Sequence, residues 1–147
     1  GMVCAGHRCV PMCGRPYEIT VFQSKVYDRN LAAGGDYWDP DEEGEARSAD
    51  PYVEFRVGGE SYITSVKEND LAPQWLDESF TISLQCDDEY SLWMRDEDGD
   101  EDQVILEFST TRPYFRLDRN TIRQGGLNIV AGESGQENQV TLTIIPQ

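Results

Sequence analysis

Apolar and polar residues alternate in a series of short runs, and this period of two constrains the fold more than any other feature of the chain. In 17–22 it places Tyr17, Ile19 and Val21 on one face, and Val53, Phe55 and Val57 repeat the arrangement. In 140–144 the threonines Thr141 and Thr143 take the wet face. Gly, Pro, Asn and Asp close the runs, and helical periodicity is hard to find. The pattern predicts strands over 17–22, 52–57, 61–66, 80–86, 90–95, 104–109, 127–130 and 140–145. Gly58-Gly59 marks a tight hairpin between the second and third. The fold class is therefore all-β, an eight-stranded antiparallel β-sandwich with a long acidic interruption after the first strand. One or two helical turns fit within 117–124. Residues 1–16 lack the alternation, and Pro11 and Pro16 argue against a strand there. The expected division is a cysteine-containing leader over 1–16 and the sandwich over 17–147.

A chain of 147 residues with 38% hydrophobic content is long enough for one real core. Its net charge of -16 comes from 28 acidic against 12 basic residues, and 16 of the acids fall within 36–50 and 87–102. Such a surface repels DNA and RNA, which excludes nucleic acid as a partner, and repels anionic lipid unless cations intervene. No apolar run approaches the ~20 residues of a transmembrane helix. No signal peptide opens the chain, and the Gly1-Met2 start leaves open what precedes it in the native protein.

The densest acidic segment, 96–102, carries six carboxylates in seven residues. Alternate residues Asp96, Asp98, Asp100 and Asp102 offer hard oxygen donors of the kind that suits Ca²⁺ rather than zinc or copper. A second stretch holds Asp36, Asp39, Asp41, Glu42, Glu43, Glu45 and Asp50. A fold that joins the two makes a polycarboxylate calcium site; one that does not leaves solvated acidic loops. An EF-hand register can be counted from Asp96 to Glu107, but Glu101 stands where the turn needs glycine, and both flanks alternate like strands. Tyr37 and Trp38 sit among the acids of the first loop. They are either a membrane-contacting tip, since aromatic side chains suit the lipid interface, or packing over the base of the loop. Trp75 and Trp93 are expected in the core, Trp75 at a loop–strand corner after Pro73.

Cys4, Cys9, Cys13 and Cys86 are compatible with two disulfides in three connectivities. A zinc site of Cys4, His7, Cys9 and Cys13, with spacings unlike common knuckles, and free thiols are the alternatives. The disulfide reading places the chain in an oxidising, extracellular or otherwise extracytoplasmic compartment. One histidine leaves no Ser-His-Asp or Cys-His arrangement, and the chain reads as non-catalytic.

Four stretches in order resemble a C2 domain: 17–31, as that family's opening strand; Ala49-Asp50-Pro51-Tyr52-Val53-Glu54-Phe55; Leu71-Ala72-Pro73-Gln74-Trp75-Leu76-Asp77-Glu78-Ser79-Phe80; and Leu92-Trp93-Met94-Arg95-Asp96-Glu97-Asp98. The resemblance implies calcium-binding loops gathered at one end of the sandwich. The strand permutation is that of perforin-type C2 domains, with an extra C-terminal strand. It further implies Asp50 as a loop-one ligand, Asp96 and Asp98 as third-loop ligands, and Asp102 or Asp100 as the later carboxylate. Asp36 is the earlier loop-one ligand, with Asp39 and Asp41 as alternatives. The implied cofactor is Ca²⁺ and the implied partner a phospholipid membrane surface reached through calcium. A calcium-stabilised adhesion or scaffold domain of a larger secreted protein, with a protein partner, is the other reading. The chain departs from the family in a longer first loop, a shorter third loop, and Val104-Ile105-Leu106 where the family has Ile-Gly. Few basic strand residues are present, Arg56 and Lys67 among them, so a polyphosphoinositide reader is not expected.

Overall fold

The computed structural model of the chain describes residues 2–5, 8–11, 14–40, 46–84, 90–99, 101–109 and 125–147. The helical turns expected within 117–124 lie outside the described residues, as do Cys13, Cys86, Asp41 and Asp100. All eight expected strands form: β1 (Arg15–Lys25), β2 (Pro51–Val57), β3 (Glu60–Ile63), β4 (Ser79–Leu84), β5 (Tyr90–Asp96), β6 (Gln103–Ser109), β7 (Gly126–Ala131) and β8 (Asn138–Pro146). One sheet has the order β4-β1-β8-β7 and the other β6-β5-β2-β3, and all neighbours are antiparallel. The last strand of the chain thus closes on the first. Gly58 and Gly59 both adopt positive φ, 55° and 86°, the twist a two-residue hairpin requires, and Val57 pairs with Glu60 across it.

The core is the inward row of each sheet: Tyr17, Ile19 and Val21 on β1, Val53, Phe55 and Val57 on β2, Leu92 and Met94 on β5, and Val140, Leu142 and Ile144 on β8. Each such side chain gains about 1.5–3 kcal/mol on full burial. Two bulges reset the alternation. On β1 the register with β8 steps from Val21–Leu142 to Gln23–Thr141, which leaves Phe22 unpaired and 47% exposed. Beyond it the inward positions become Ser24 and Val26. On β6 the register with β5 steps from Leu106–Met94 to Val104–Arg95, so Ile105 and Leu106 are buried in succession while Val104 is exposed.

Four details differ from the sequence reading. Met2–Ala5 and Arg8–Pro11 pair as antiparallel strands, and β1 begins at Arg15, inside the expected leader. Pro11 is tolerated because it ends its strand. The strand expected over 61–66 ends at Ile63, because the Thr64 hydroxyl accepts the Val53 N–H at 2.9 Å in place of a ladder carbonyl. Trp93 is not in the core. It lies half-buried on the outer face, within cation–π range of Arg56 and Arg95 at 4.9 and 5.2 Å. Parity explains this, since β5 turns Tyr90, Leu92 and Met94 inward. Trp75 is buried; its indole N–H donates to the Ser65 carbonyl at 2.7 Å and its backbone N–H to Val21 at 3.2 Å, which fixes the corner before β4.

Candidate metal centre

Antiparallel pairing brings the C-terminal ends of β1 and β5 and the N-terminal ends of β2, β6 and β8 to the same end of the sandwich. Asp96 closes the inward row of β5 and is fully buried. Its register partners are Pro51 on β2 and Gln103 on β6. A carboxylate in such a place needs donors, and Asp96 Oδ1 accepts the backbone N–H of Asp50 at 2.6 Å. The Asp50 carbonyl in turn accepts the N–H of Glu97 at 3.1 Å. The first and third loops are therefore stitched at their bases by two hydrogen bonds.

Asp50 is also tied to the segment after β3. Its Oδ1 accepts the Asn69 N–H at 2.6 Å, with Asn69 in the left-handed region at φ 51°. Around it the Ala49 carbonyl accepts from Asp70 and the Pro51 carbonyl from Lys67, both at 3.0 Å. Asp98 is half-buried, and its N–H reaches Asp102 Oδ1 at 3.4 Å. Asp98 Oδ2 is shielded from solvent and has no hydrogen-bond donor among the described residues. An acceptor so placed costs about 1–3 kcal/mol, more when it carries charge. Asp102 is exposed, and its Oδ2 accepts the hydroxyl of Tyr52.

Asp50, Asp96, Asp98 and Asp102 are thus held in one loop cluster. Asp36 is exposed on a two-residue strand, paired with Asn30. Among the described residues, no group of three or more Asp, Glu, His or Cys side chains converges closely enough to hold a metal ion. Asp50 and Asp96 each give an oxygen to a backbone N–H, and Asp102 gives one to a phenol. The donors are nonetheless hard carboxylate oxygens of the kind Ca²⁺ takes, and Asp98 Oδ2 is shielded with no donor among the described residues.

The aromatic pair of the first loop is placed otherwise than a membrane tip. Trp38 is only 3% exposed, belongs to the core cluster, and donates its indole N–H to the Tyr27 carbonyl at 2.6 Å. Tyr37 is half-buried under the Arg29 guanidinium, 3.7 Å from the ring centroid, and receives an Arg29 hydrogen bond at 2.8 Å. Trp38 follows the second alternative of the sequence reading, packing over the base of the loop. An exposed apolar side chain nearby in the first loop is Leu31, 48% exposed on a 3₁₀ turn, Leu31–Ala33. Asn30 caps this turn through the Ala33 N–H at 3.2 Å, and its amide donates to the Gln103 side chain, next to Asp102. Asn138 ties the loop's base, accepting from Tyr27 N–H at 2.7 Å and donating to the Ile105 carbonyl at 3.0 Å.

Sequence reasoning missed Tyr52, Asn30 and Gln103. Tyr52 was visible as the outward member of an Asp-Pro-Tyr start, opposite Arg95; Asn30 and Gln103 carry no signal until the fold joins them. Of the four cysteines, the described backbone sets Cys4 directly opposite Cys9.

No described helix is long and apolar enough to cross a membrane. Searching curated protein sequences finds no match. Among solved structures, the chain resembles the calcium-bound tandem C2 domains of extended synaptotagmin 2, at TM-score 0.63 and 18% identity, over 92% of this chain and 47% of that one. It also resembles a C2 domain of plant extended synaptotagmin 1 (TM-score 0.55, 14% identity, 93% and 98% covered). Human GIVD cytosolic phospholipase A2 is matched at TM-score 0.54 and 17% identity, with 89% of this chain and 18% of that chain covered. The chain spans less than half the length of the first structures it matches. These likenesses establish the fold; the family rests on the C2 domain model, which matches residues 18–114. The chain belongs to the C2 domain family.

Proposed function

We propose that this C2 domain is a non-catalytic module that binds Ca²⁺ through its loop carboxylates and associates peripherally with phospholipid surfaces. The observation that carries the reading is Asp98 Oδ2, shielded and without a donor among the described residues, beside the hydrogen-bonded Asp50–Asp96 pair. Asp50, Asp96, Asp98 and Asp102 are the principal ligands, with Asp100 as a further third-loop donor and Asp36 as the outer donor of the first loop. Bound calcium supplies the positive charge that lets so acidic an end approach lipid phosphate. The lipid-facing apolar element is the Leu31–Ala33 turn, which Asn30 fastens to Gln103 next to the third loop. The sandwich unit begins at Arg15, and the paired strands Met2–Ala5 and Arg8–Pro11, with Cys4 opposite Cys9 as disulfide candidates, precede it.

One observation favours a second reading, a calcium-stabilised adhesion or scaffold domain with a protein partner. Trp38 is withdrawn into the core, so the exposed tip is smaller than the sequence promised. Calcium titration calorimetry on chelator-stripped protein, with magnesium as control, tests the site. Saturating heat with calcium and much weaker heat with magnesium supports it, and silence to millimolar calcium rejects it. Calcium-dependent sedimentation with phosphatidylserine liposomes then separates the lipid from the protein reading.

A further inference from the structure

Tyr52 joins the third loop to the outer face of the β6-β5-β2-β3 sheet. Its side chain points outward with Glu54 and Arg56, away from Val53 and Phe55, because it occupies the outer parity of β2. Its register partner across the sheet is Arg95. The Tyr52 hydroxyl donates to Asp102 Oδ2. Arg95 is held in turn by Glu54 at 2.8 Å, and Glu54, almost fully buried, also binds Arg56 at 2.7 Å and the Ser61 hydroxyl at 2.8 Å. Two polar groups therefore meet at the Tyr52–Arg95 register pair: Glu54 with Arg95, Arg56 and Ser61 on the sheet, and Tyr52 with Asp102 at the loop.

We propose that Tyr52 is the positioning residue for Asp102, fixing that carboxylate for the cation; the inference rests on the calcium reading of the loops. Asp102 is exposed on the connection between β5 and β6, and its other contact in the loop, the Asp98 N–H, is long at 3.4 Å. Without the phenol its carboxylate rotates freely, and ordering it on cation binding carries an entropy cost. A phenol donor also withdraws charge from the oxygen it binds, which opposes affinity. Positioning outweighs this, because a carboxylate offers about four lone-pair sites and Tyr52 takes one of them. Hydrogen-bonded partners of metal ligands are typically worth ~10–100-fold in affinity.

The test compares wild type, Tyr52→Phe and Tyr62→Phe by calcium calorimetry, with thermal unfolding in chelator alongside. Tyr62 donates its hydroxyl to Glu60 on β3, so Tyr62→Phe deletes the same bond type on a strand outside the loop cluster. The expected result is a Kd at least ~10-fold weaker in Tyr52→Phe, unchanged in Tyr62→Phe, with both variants melting near wild type in chelator. Terbium emission excited through tyrosine should also fall in Tyr52→Phe alone. Tyr52→Phe within twofold of wild type overturns the inference while the calcium reading stands; a wild type that binds no calcium removes both. Should Tyr52→Phe fail to fold, Tyr52→Leu removes the hydroxyl with a smaller side chain, and unweakened calcium binding there overturns the inference equally.

Discussion

The backbone N–H of Asp50 donates to Asp96 Oδ1 at 2.6 Å, so the first and third loops are joined through a fully buried carboxylate. The bond gives Asp96 a structural duty that Asp98 does not share, and the two acids separate in experiment. Asp96→Ala orphans the Asp50 N–H and leaves a cavity at the head of β5, and should cost about 1–3 kcal/mol in chelator. Asp98→Asn removes the charge from an oxygen that has no donor among the described residues, and should leave chelator stability unchanged or slightly raised while calcium binding collapses. Urea unfolding in chelator beside calorimetry reads both; equal destabilisation by the two variants would count against the division.

Glu54 predicts the acid behaviour of the sheet. Burial pushes its carboxyl up, but the hydrogen bonds from Ser61 and Arg56 and the charges of Arg56 and Arg95 together bring it below its ordinary value near 4.5. A carboxyl lowered on folding adds stability that is present above its unfolded pKa and is lost as pH falls through the folded one. The stability gap between wild type and Glu54→Gln should therefore be widest near neutrality and close below about pH 4.5. Glu54→Ala leaves Arg95 unpaired and should cost roughly 2–3 kcal/mol, less than a fully buried pair because Arg56 is half exposed. Chemical denaturation from pH 3 to pH 7 follows both.

Most of the fold was legible because a period of two survives wherever one face of a strand is buried, and Tyr17, Ile19 and Val21 display it without interruption. The bulges at Phe22 and Ile105 were not, since an extra residue in a ladder is set by the partner strand and leaves no mark of composition. Trp93 lies on a strand-like pattern, but its parity between the inward Leu92 and Met94 turns it outward. In the candidate site, Asp50 and Asp96 were legible from motif and charge. Tyr52 and the Asn30–Gln103 bond were hidden, because they depend on residues 50 and 73 positions apart meeting in space.

The register of the N-terminal strand pair makes a covalent prediction. Cys4 and Cys9 are register partners on the paired strands Met2–Ala5 and Arg8–Pro11. Facing residues of an antiparallel pair have Cα atoms about 4.5–5.5 Å apart, within disulfide range. Non-reducing peptide mapping of air-oxidised protein should recover a Cys4–Cys9 crosslink. Pairing of either residue with Cys13 or Cys86 would show that the strand pair does not set the connectivity.

Leu31 and Trp38 should part company at a membrane. Leu31 is 48% exposed on a capped turn beside the third loop, so Leu31→Asp removes apolar surface and adds repulsion toward anionic lipid at little expense to the fold. Its calcium affinity in solution should match wild type, while calcium-dependent pelleting with phosphatidylserine vesicles should fall several-fold. Trp38→Ala empties a core position and should cost roughly 3–5 kcal/mol. Its effect on lipid is therefore a loss of folded protein: pelleting per folded molecule should stay near wild type. The reverse pattern, with Leu31→Asp silent and Trp38→Ala defective while still folded, would mean that the first loop opens on the membrane and brings out the ring now bonded to the Tyr27 carbonyl.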